Sequence, residues 1–318
     1  MSDMPRRCKR SQRMEKTPPV WDKARMGANS NDAPIGVAHE IRVRNLRFEL
    51  GRQEVGSWHP RGAQVACWFD AWSLFFPAGE SFFIDSVRRC EDQLQSPELR
   101  LQARQFIAQE AMHGREHQRY NALLQEAGLP AAYLAKRVHN FFAWVARRTS
   151  PKTQLAITAG LEHITAIFAH SLLNDERLLH GSDPNYAALW WWHVIEEIEH
   201  KAVAFDVYEA VCAADRLRYA RRAGAMAGIS LAFAAAALTF HITLVTRSGH
   251  LADLRGWGSL LGFLFLEPGL LRRVPRRYLD YFRRDFHPWQ YDDDHKLAQK
   301  KSLNLPAAAQ SHVDAKTK

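Results

Sequence analysis

Apolar positions recur at helical spacing from about residue 61 onward, and the stretch before that follows a different rule. Residues 41–56 open with Ile41-Arg-Val-Arg-Asn-Leu-Arg-Phe-Glu-Leu, where apolar and polar side chains alternate. That period suits a short strand or an extended arm. Beyond it, helix starts are marked by a capping residue and then proline: Ser96-Pro97, Ser150-Pro151 and Asp183-Pro184. A serine or aspartate there accepts a hydrogen bond from an orphaned backbone N–H, and a proline at the first helical position forfeits no bond. Gly128-Leu-Pro130 and His180-Gly181 supply stops. The first helix begins near Pro77, after an aromatic approach segment from Trp68 to Phe76. These signals predict four long helices over 78–94, 97–127, 151–180 and 184–213.

Two apolar stretches follow. Ala223–Thr246 contains no charged residue, and His241 is its only ionisable one. With its neighbours it is long enough to cross a hydrocarbon core of ~30 Å. Gly256–Leu271 is interrupted by Glu267-Pro268. Arginines stand on both outer flanks, Arg216, Arg218, Arg221 and Arg222 before and Arg272, Arg273, Arg276 and Arg277 after. That is the charge pattern of a helical hairpin with both outer ends in the cytoplasm. A hairpin lying on the other helices, or forming an interface with a second copy as a homodimer, fits it too. The expected organisation is a disordered basic tail over 1–40, a four-helix domain over 41–215, an Arg-flanked apolar hairpin over 216–285 and a polar tail over 286–318.

Composition narrows the partners. The chain has 318 residues, 47% of them hydrophobic, enough for a sizeable core. The net charge of +9 is concentrated in the N-terminal tail and in the arginines after 215. No nucleic-acid motif accompanies it, and the arginines border apolar runs, so the expected partner surface is anionic lipid and not nucleic acid. The four cysteines are scattered without a Cys-x-x-Cys pair, and the first thirty residues lack an apolar signal core. The expected location is the cytoplasm, at the inner face of the membrane.

The candidate chemistry is a pattern used twice. Glu80 precedes Glu110-Ala-Met-His113 by thirty positions, and Glu162 precedes Glu197-Ile-Glu-His200 by thirty-five. Glu and His at i and i+3 share one helix face. Two such helices, with one glutamate from each of two others, form the ligand set of a carboxylate-bridged dimetal centre in a bundle. Four carboxylates match the charge of two divalent ions; buried without them, some would have to take up protons. Oxygen and imidazole donors without thiolate favour iron or manganese. His117, Glu196 and His193 lie on or beside the same stripes and are candidates as further ligands or as braces for ligands. Glu116 and Glu199 fall off the face and read as solvated or bracing charges. Asp85 and Asp206 are candidates to accept the second ring N–H of a ligand histidine, and His163 points away from Glu162. Trp190-Trp191-Trp192 reads as packing.

Longer runs carry a resemblance. Phe76-Pro77-Ala-Gly79-Glu80, Gln109-Glu110-Ala-Met-His113-Gly114-Arg115-Glu116-His117, Leu161-Glu162-His163-Ile-Thr165 and Trp192-His193-Val-Ile-Glu196-Glu197-Ile-Glu199-His200-Lys201 resemble the bacterial family labelled predicted metal-dependent hydrolase, over about residues 40–280. The ligand pattern is also similar to that of ferritin-like di-iron oxygenases. Together these imply an all-α chain, a ferritin-like four-helix bundle with a C-terminal apolar helical hairpin. The label implies two-metal hydrolysis. The ligand chemistry implies an O₂-dependent oxidase or oxygenase acting on an apolar or lipid-like substrate, with two Fe (or Mn) ions and an electron donor the sequence does not specify. A non-catalytic metal-binding or redox protein is the third class.

Overall fold

The computed structural model describes residues 40–52 and 55–302. The tail expected over 1–40 lies outside the described residues except for Glu40, and so does the C-terminal tail from 303 on. The described residues are all-α, with no strand among them. The elements are α1 (Ala63–Ser73), α2 (Phe76–Arg88), α3 (Pro97–Glu126), α4 (Ala131–Arg148), α5 (Pro151–Leu173), α6 (Pro184–His200), α7 (Val203–Val211), α8 (Arg218–Arg247), α9 (Leu254–Leu261), α10 (Val274–Asp280) and α11 (Asp294–Ser302).

The cap-then-proline starts hold in detail. Ser96 accepts from the Leu99 N–H, Ser150 from Thr153, and Asp183 from Asn185 and Tyr186. The far ends differ from expectation. α2 stops at Arg88 and gives way to a short 3-10 turn over Glu91–Gln93, and α5 stops at Leu173 before another over Glu176–Leu178. The helix expected over 184–213 is broken at Lys201–Ala202. There the Lys201 ammonium turns inward to Asp293 at 2.8 Å and stacks on Trp289.

Besides α10 and α11, which fall in the expected hairpin and polar C-terminal tail, two helices escaped the sequence reading. α1, within the aromatic approach segment, is buried at ten of its eleven positions, so it has no polar face to generate a period. α4 is amphipathic, burying Ala131, Leu134, Val138, Phe142 and Val145.

α2, α3, α5 and the α6–α7 pair enclose the centre: α2 packs on α3 and α5, α3 on α6 and α7, and α5 on α6. α8 lies along α5 and α1, and α4 covers α2 and α3. The α5–α8 approach is close because Gly160 faces Met226; a Cβ there would stand 3.3 Å from Met226 Sδ. α5 and α8 are each long and apolar enough to cross a membrane, but α5 is a core helix, 83% buried over its most apolar window, against 33% for α8. The second limb of the expected hairpin is no continuous span: α9 ends in a π turn over Gly262–Leu266, ahead of Glu267-Pro268.

Residues 41–50 form an unpaired extended arm, not a strand. Ile41, Leu46 and Phe48 are buried, which anchors it. From Arg44 to Leu50 the alternation records one side facing the helices and one facing solvent, whereas Val43 is exposed.

Candidate metal centre

The six residues of the repeated pattern converge. Glu80 comes from α2, Glu110 and His113 from α3, Glu162 from α5, and Glu197 and His200 from α6. All are buried, none more than 2% exposed. Glu110 and Glu197 lie between the two histidines. Glu110 Oε1 is 3.4 Å from His113 Nδ1 and 3.3 Å from His200 Nε2. Glu197 reaches the same two nitrogens at 3.7 and 3.6 Å. Glu162 Oε2 is 3.4 Å from His200 Nε2. Two donor groups are compact enough to hold an ion each: Glu80, His113 and His193, and Glu110, Glu197 and His200, with ligand atoms in each group within 4.8 Å of one another.

The histidines are aimed by their neighbours. The Gln109 amide donates from Nε2 to Glu199 Oε2 at 2.9 Å and to the Arg42 carbonyl at 3.1 Å. Its Oε1 must therefore accept, and it accepts from His200 Nδ1 at 2.8 Å. That leaves the lone pair of His200 on Nε2, facing the carboxylates. In the other half, His113 Nε2 lies 3.1 Å from Glu196 Oε2, leaving Nδ1 toward the centre. Gln109 and Glu196 each stand one residue before a repeat glutamate, and each braces the histidine of the opposite helix. This role was expected of Asp85 and Asp206. Asp85 instead sits on the surface near Arg88, and Asp206 pairs with His287 at 2.7 Å. Neither is placed to touch a site histidine, because the α6–α7 break and the outward face of α2 carry them away.

His193 is brought closer to the centre than its spacing indicated. Asn121 donates from Nδ2 to the Ser73 carbonyl at 3.0 Å, so its Oδ1 accepts from Ser73 Oγ at 2.8 Å. Ser73 Oγ, having spent its proton, accepts from His117 Nδ1 at 2.9 Å. His117 Nε2 is then bare and accepts from His193 Nδ1 at 3.0 Å. The chain ends with the lone pair of His193 Nε2 set 3.0 Å from Glu197 Oε1, two electron-rich atoms with no hydrogen between them. His117 and Glu196 thus act from behind the donors, and His193 stands among them. His163 turns away, bonded to the Arg277 carbonyl and stacked on Tyr281.

An outer brace was missed in the sequence. Arg44, on the arm, donates to both carboxylate oxygens of Glu199, at 2.9 and 2.7 Å, and to Glu196 at 3.1 Å. Glu199 and Glu116 are bracing charges, both buried; Glu116 is held by Arg115, Arg119 and the Phe48 N–H. Arg44 belongs to a strand-like alternation, and only the fold carries it across to α6. The tryptophans pack as expected, Trp192 edge-on to His113 at 4.8 Å and Trp190 against His117.

The donors fit a cation. Both carboxylate oxygens of Glu80, Glu110 and Glu162, Oε2 of Glu197, and Nε2 of His193 and His200 are buried without a hydrogen-bond partner. Each such group costs about 1–3 kcal/mol if left unmatched. Their proton affinities express the same demand. Burial, then the neighbouring Glu110, pushes the Glu80 carboxyl well above the usual range. Burial with Glu110 and Glu197 raises Glu162 to about 8. Burial should depress His113 and His200, yet the surrounding carboxylates hold both well above an ordinary imidazole. Burial, then the neighbouring His113, lowers His193 to about 4, which keeps it neutral and able to donate a lone pair. The cluster attracts positive charge, and protons are the weaker way to supply it.

Fold and site together define a helical protein with a candidate two-metal centre. The chain belongs to the family described as "Predicted metal-dependent hydrolase", which matches residues 42–292 and so spans the arm, the centre and the apolar helices. No curated protein and no solved structure is detectably similar to it.

Proposed function

We propose that the chain is a dinuclear metal enzyme that oxidises an apolar substrate with O₂. Glu80, Glu110, His113, Glu162, Glu197 and His200 would hold the ions, with His193 as a seventh donor beside Glu80 and His113. Glu110 and Glu197 lie where ligands shared between two ions belong. Bound there, a pair of redox-active ions such as iron would supply the electrons for O₂ reduction. The protein's own part is to aim the histidines through Gln109, Glu196 and His117, and to keep water out. The observation that carries the reading is the approach to Glu80. A narrow void reaches it, lined by Trp72, Phe76, Phe83, Phe142 and Leu161, with almost no polar surface. Such walls admit O₂ and hydrocarbon and disfavour water and polar substrates.

The family description favours a second reading, two-metal hydrolysis of an ester with an apolar acyl part. One experiment separates them. Purified protein is loaded anaerobically with Fe(II), its metal content measured, and O₂ consumption followed with and without fatty substrates. Stoichiometric uptake of O₂ supports oxidation. Ester cleavage with Mn(II) or Zn(II) and no O₂ consumption would replace it with hydrolysis.

A further inference from the structure

A second, larger cavity of about 600 Å³ lies between α4 and α8, lined by Val138, Phe141, Phe142, Ile229, Phe233 and Ala236 among others. It falls within the roughly 300–1,000 Å³ range of small-molecule sites. Phe75, Phe142, Leu161 and Phe233 line both this cavity and the void of about 40 Å³ that reaches Glu80. Those four side chains stand between the outer chamber and the inner void at Glu80, where a neck between the two would run. The neck is aromatic and tight: Phe75 meets Phe233 at 5.0 Å and stacks on Phe240 at 4.9 Å. The inner void is far smaller than the outer chamber, about 40 Å³ against about 600 Å³, and aromatic on most sides, which favours a narrow chain over a ring.

The polar chemistry sits at the two ends. Among the outer lining residues Arg137 is the charged one, exposed on α4 and resting on Tyr133, with no carboxylate paired to it among the described residues. α4 also carries Lys136, Arg147 and Arg148 and no acidic residue. Thr239 in the outer chamber and Thr165 in the inner already donate to backbone carbonyls of their own helices. A sugar, nucleotide or peptide would bury unpaired polar groups along this route.

We propose that the cavity between α4 and α8 binds a single-chain amphiphile with an anionic head group, the head at Arg137 and the chain threaded past Phe75, Phe142, Leu161 and Phe233 toward Glu80. This rests on the reading of Glu80 as part of the metal centre, and it names the substrate class of that centre. The head group is a carboxylate or a phosphate, and the shared chemistry is one negative charge on one alkyl chain.

The test uses the full-length, metal-loaded protein and calorimetric titration with hexadecanoate, hexadecyl phosphate and hexadecyltrimethylammonium below their micellar concentrations. One or both anions should bind, the tighter one identifying the head group, and the cation at least about tenfold more weakly. Affinity should rise roughly fourfold per added methylene in shorter homologues until the chain fills the route. Ala236→Trp, which fills the outer chamber, should weaken binding at least about tenfold with metal content unchanged, and Arg137→Glu should invert the preference for anion over cation. With Mn(II) bound, the terminal methyl of hexadecanoate should relax faster than its α-methylene. Metal-loaded protein that binds neither anion, equal affinity in Ala236→Trp, or the opposite relaxation order would overturn the proposal. Because the chain-length series needs no variant, a misfolded Ala236→Trp leaves the test standing. Cavity-dependent chain binding in protein that takes up no metal would sink the metal-enzyme reading alone.

Discussion

The two halves of the centre share one ligand pattern in sequence and are unlike in surroundings. Around Glu162 and His200 the packing is closed: Gln109 bonds the histidine from behind and Phe106 stands edge-on to it at 5.0 Å. Around Glu80 and His113 there is an extra imidazole, His193, a carboxylate brace in Glu196, and an apolar void that ends on Glu80. A repeated ligand pattern therefore need not make two equal sites. On the proposed reading, the half that faces the void would meet substrate and the closed half would only hold its ion.

The comparison is broken most forcefully at the residues both halves share. Glu110→Ala removes a carboxylate lying within 3.4 Å of both histidines, so both ions should be lost together. Elemental analysis of protein purified and then dialysed against Fe(II) or Mn(II) checks this; stoichiometric metal in the variant would refute the shared role. His193→Ala should act on one half alone. Its Nε2 belongs with Glu80 and His113, so one ion should weaken by at least about tenfold while the Glu110–Glu197–His200 ion stays, giving a biphasic metal titration.

Arg44→Ala should cost stability before it costs metal. It removes the guanidinium that meets both oxygens of Glu199, which is 1% exposed and keeps the Gln109 amide and the Arg42 N–H as donors, and loss of one partner of a buried ion pair costs up to about 3–5 kcal/mol. Denaturant unfolding of metal-free protein measures it. Gln109, which leans on Glu199, should then release His200, so the closed half should weaken more than the open one.

Metal-free protein should also show an unusual pH dependence. Glu162 titrates at about 8 in the fold and at ~4.3 when unfolded, and Glu80 and Glu110 shift the same way. A carboxyl raised by folding binds its proton more tightly in the native state. Its contribution is therefore fully present below the unfolded value and is lost as pH rises through the folded one. Below about pH 6.5 the buried neutral His59, His163 and His193, lowered to about 4, act in the opposite sense, so stability of the metal-free protein should fall from about pH 7 through pH 8, and added metal should reverse the trend by displacing those protons. Thermal melts across that range decide it; a flat or rising profile without metal would contradict the assignment of the protons.

How much of this was readable beforehand depended on whether a residue's role lay within its own helix. Glu110 with His113 and Glu197 with His200 were legible because i and i+3 share a face whatever surrounds them. The starts at Ser96, Ser150 and Asp183 were legible because a cap is satisfied locally. What α1 does was hidden, since a helix buried on every side loses the period that would announce it. Arg44 was hidden for the opposite reason: its alternation was plain, but a contact to Glu199 across 155 positions of chain is set only by packing. Gln109 and Glu196 stand at equivalent positions, each one residue before a repeat glutamate, yet their crossing from one helix to the other's histidine needs both helices in place. The misassignment of Asp85 and Asp206 has the same origin, a partner sought along the chain when it lay on a helix opposite.

The smallest expected effect isolates the open half most cleanly. Gly114 follows His113 on α3, and a Cβ there would stand 3.1 Å from Glu80 Oε2 and 3.8 Å from Pro77 Cα. A glycine inside a helix costs about 0.5–1 kcal/mol relative to alanine, so nothing in α3 itself calls for it. Its use is to let α2 and Glu80 approach the α3 face. Gly114→Ala should therefore raise the melting temperature of metal-free protein slightly, while moving Glu80 by a few tenths of an ångström and weakening the ion of the open half a few-fold. The closed half should be untouched, because Gly114 meets no residue of it within 4 Å. Opposite signs for stability and for metal affinity are the signature of a residue kept for its site and not for its helix. If both fall together, the glycine serves the α2–α3 packing alone, and the close approach of Glu80 to that face is incidental.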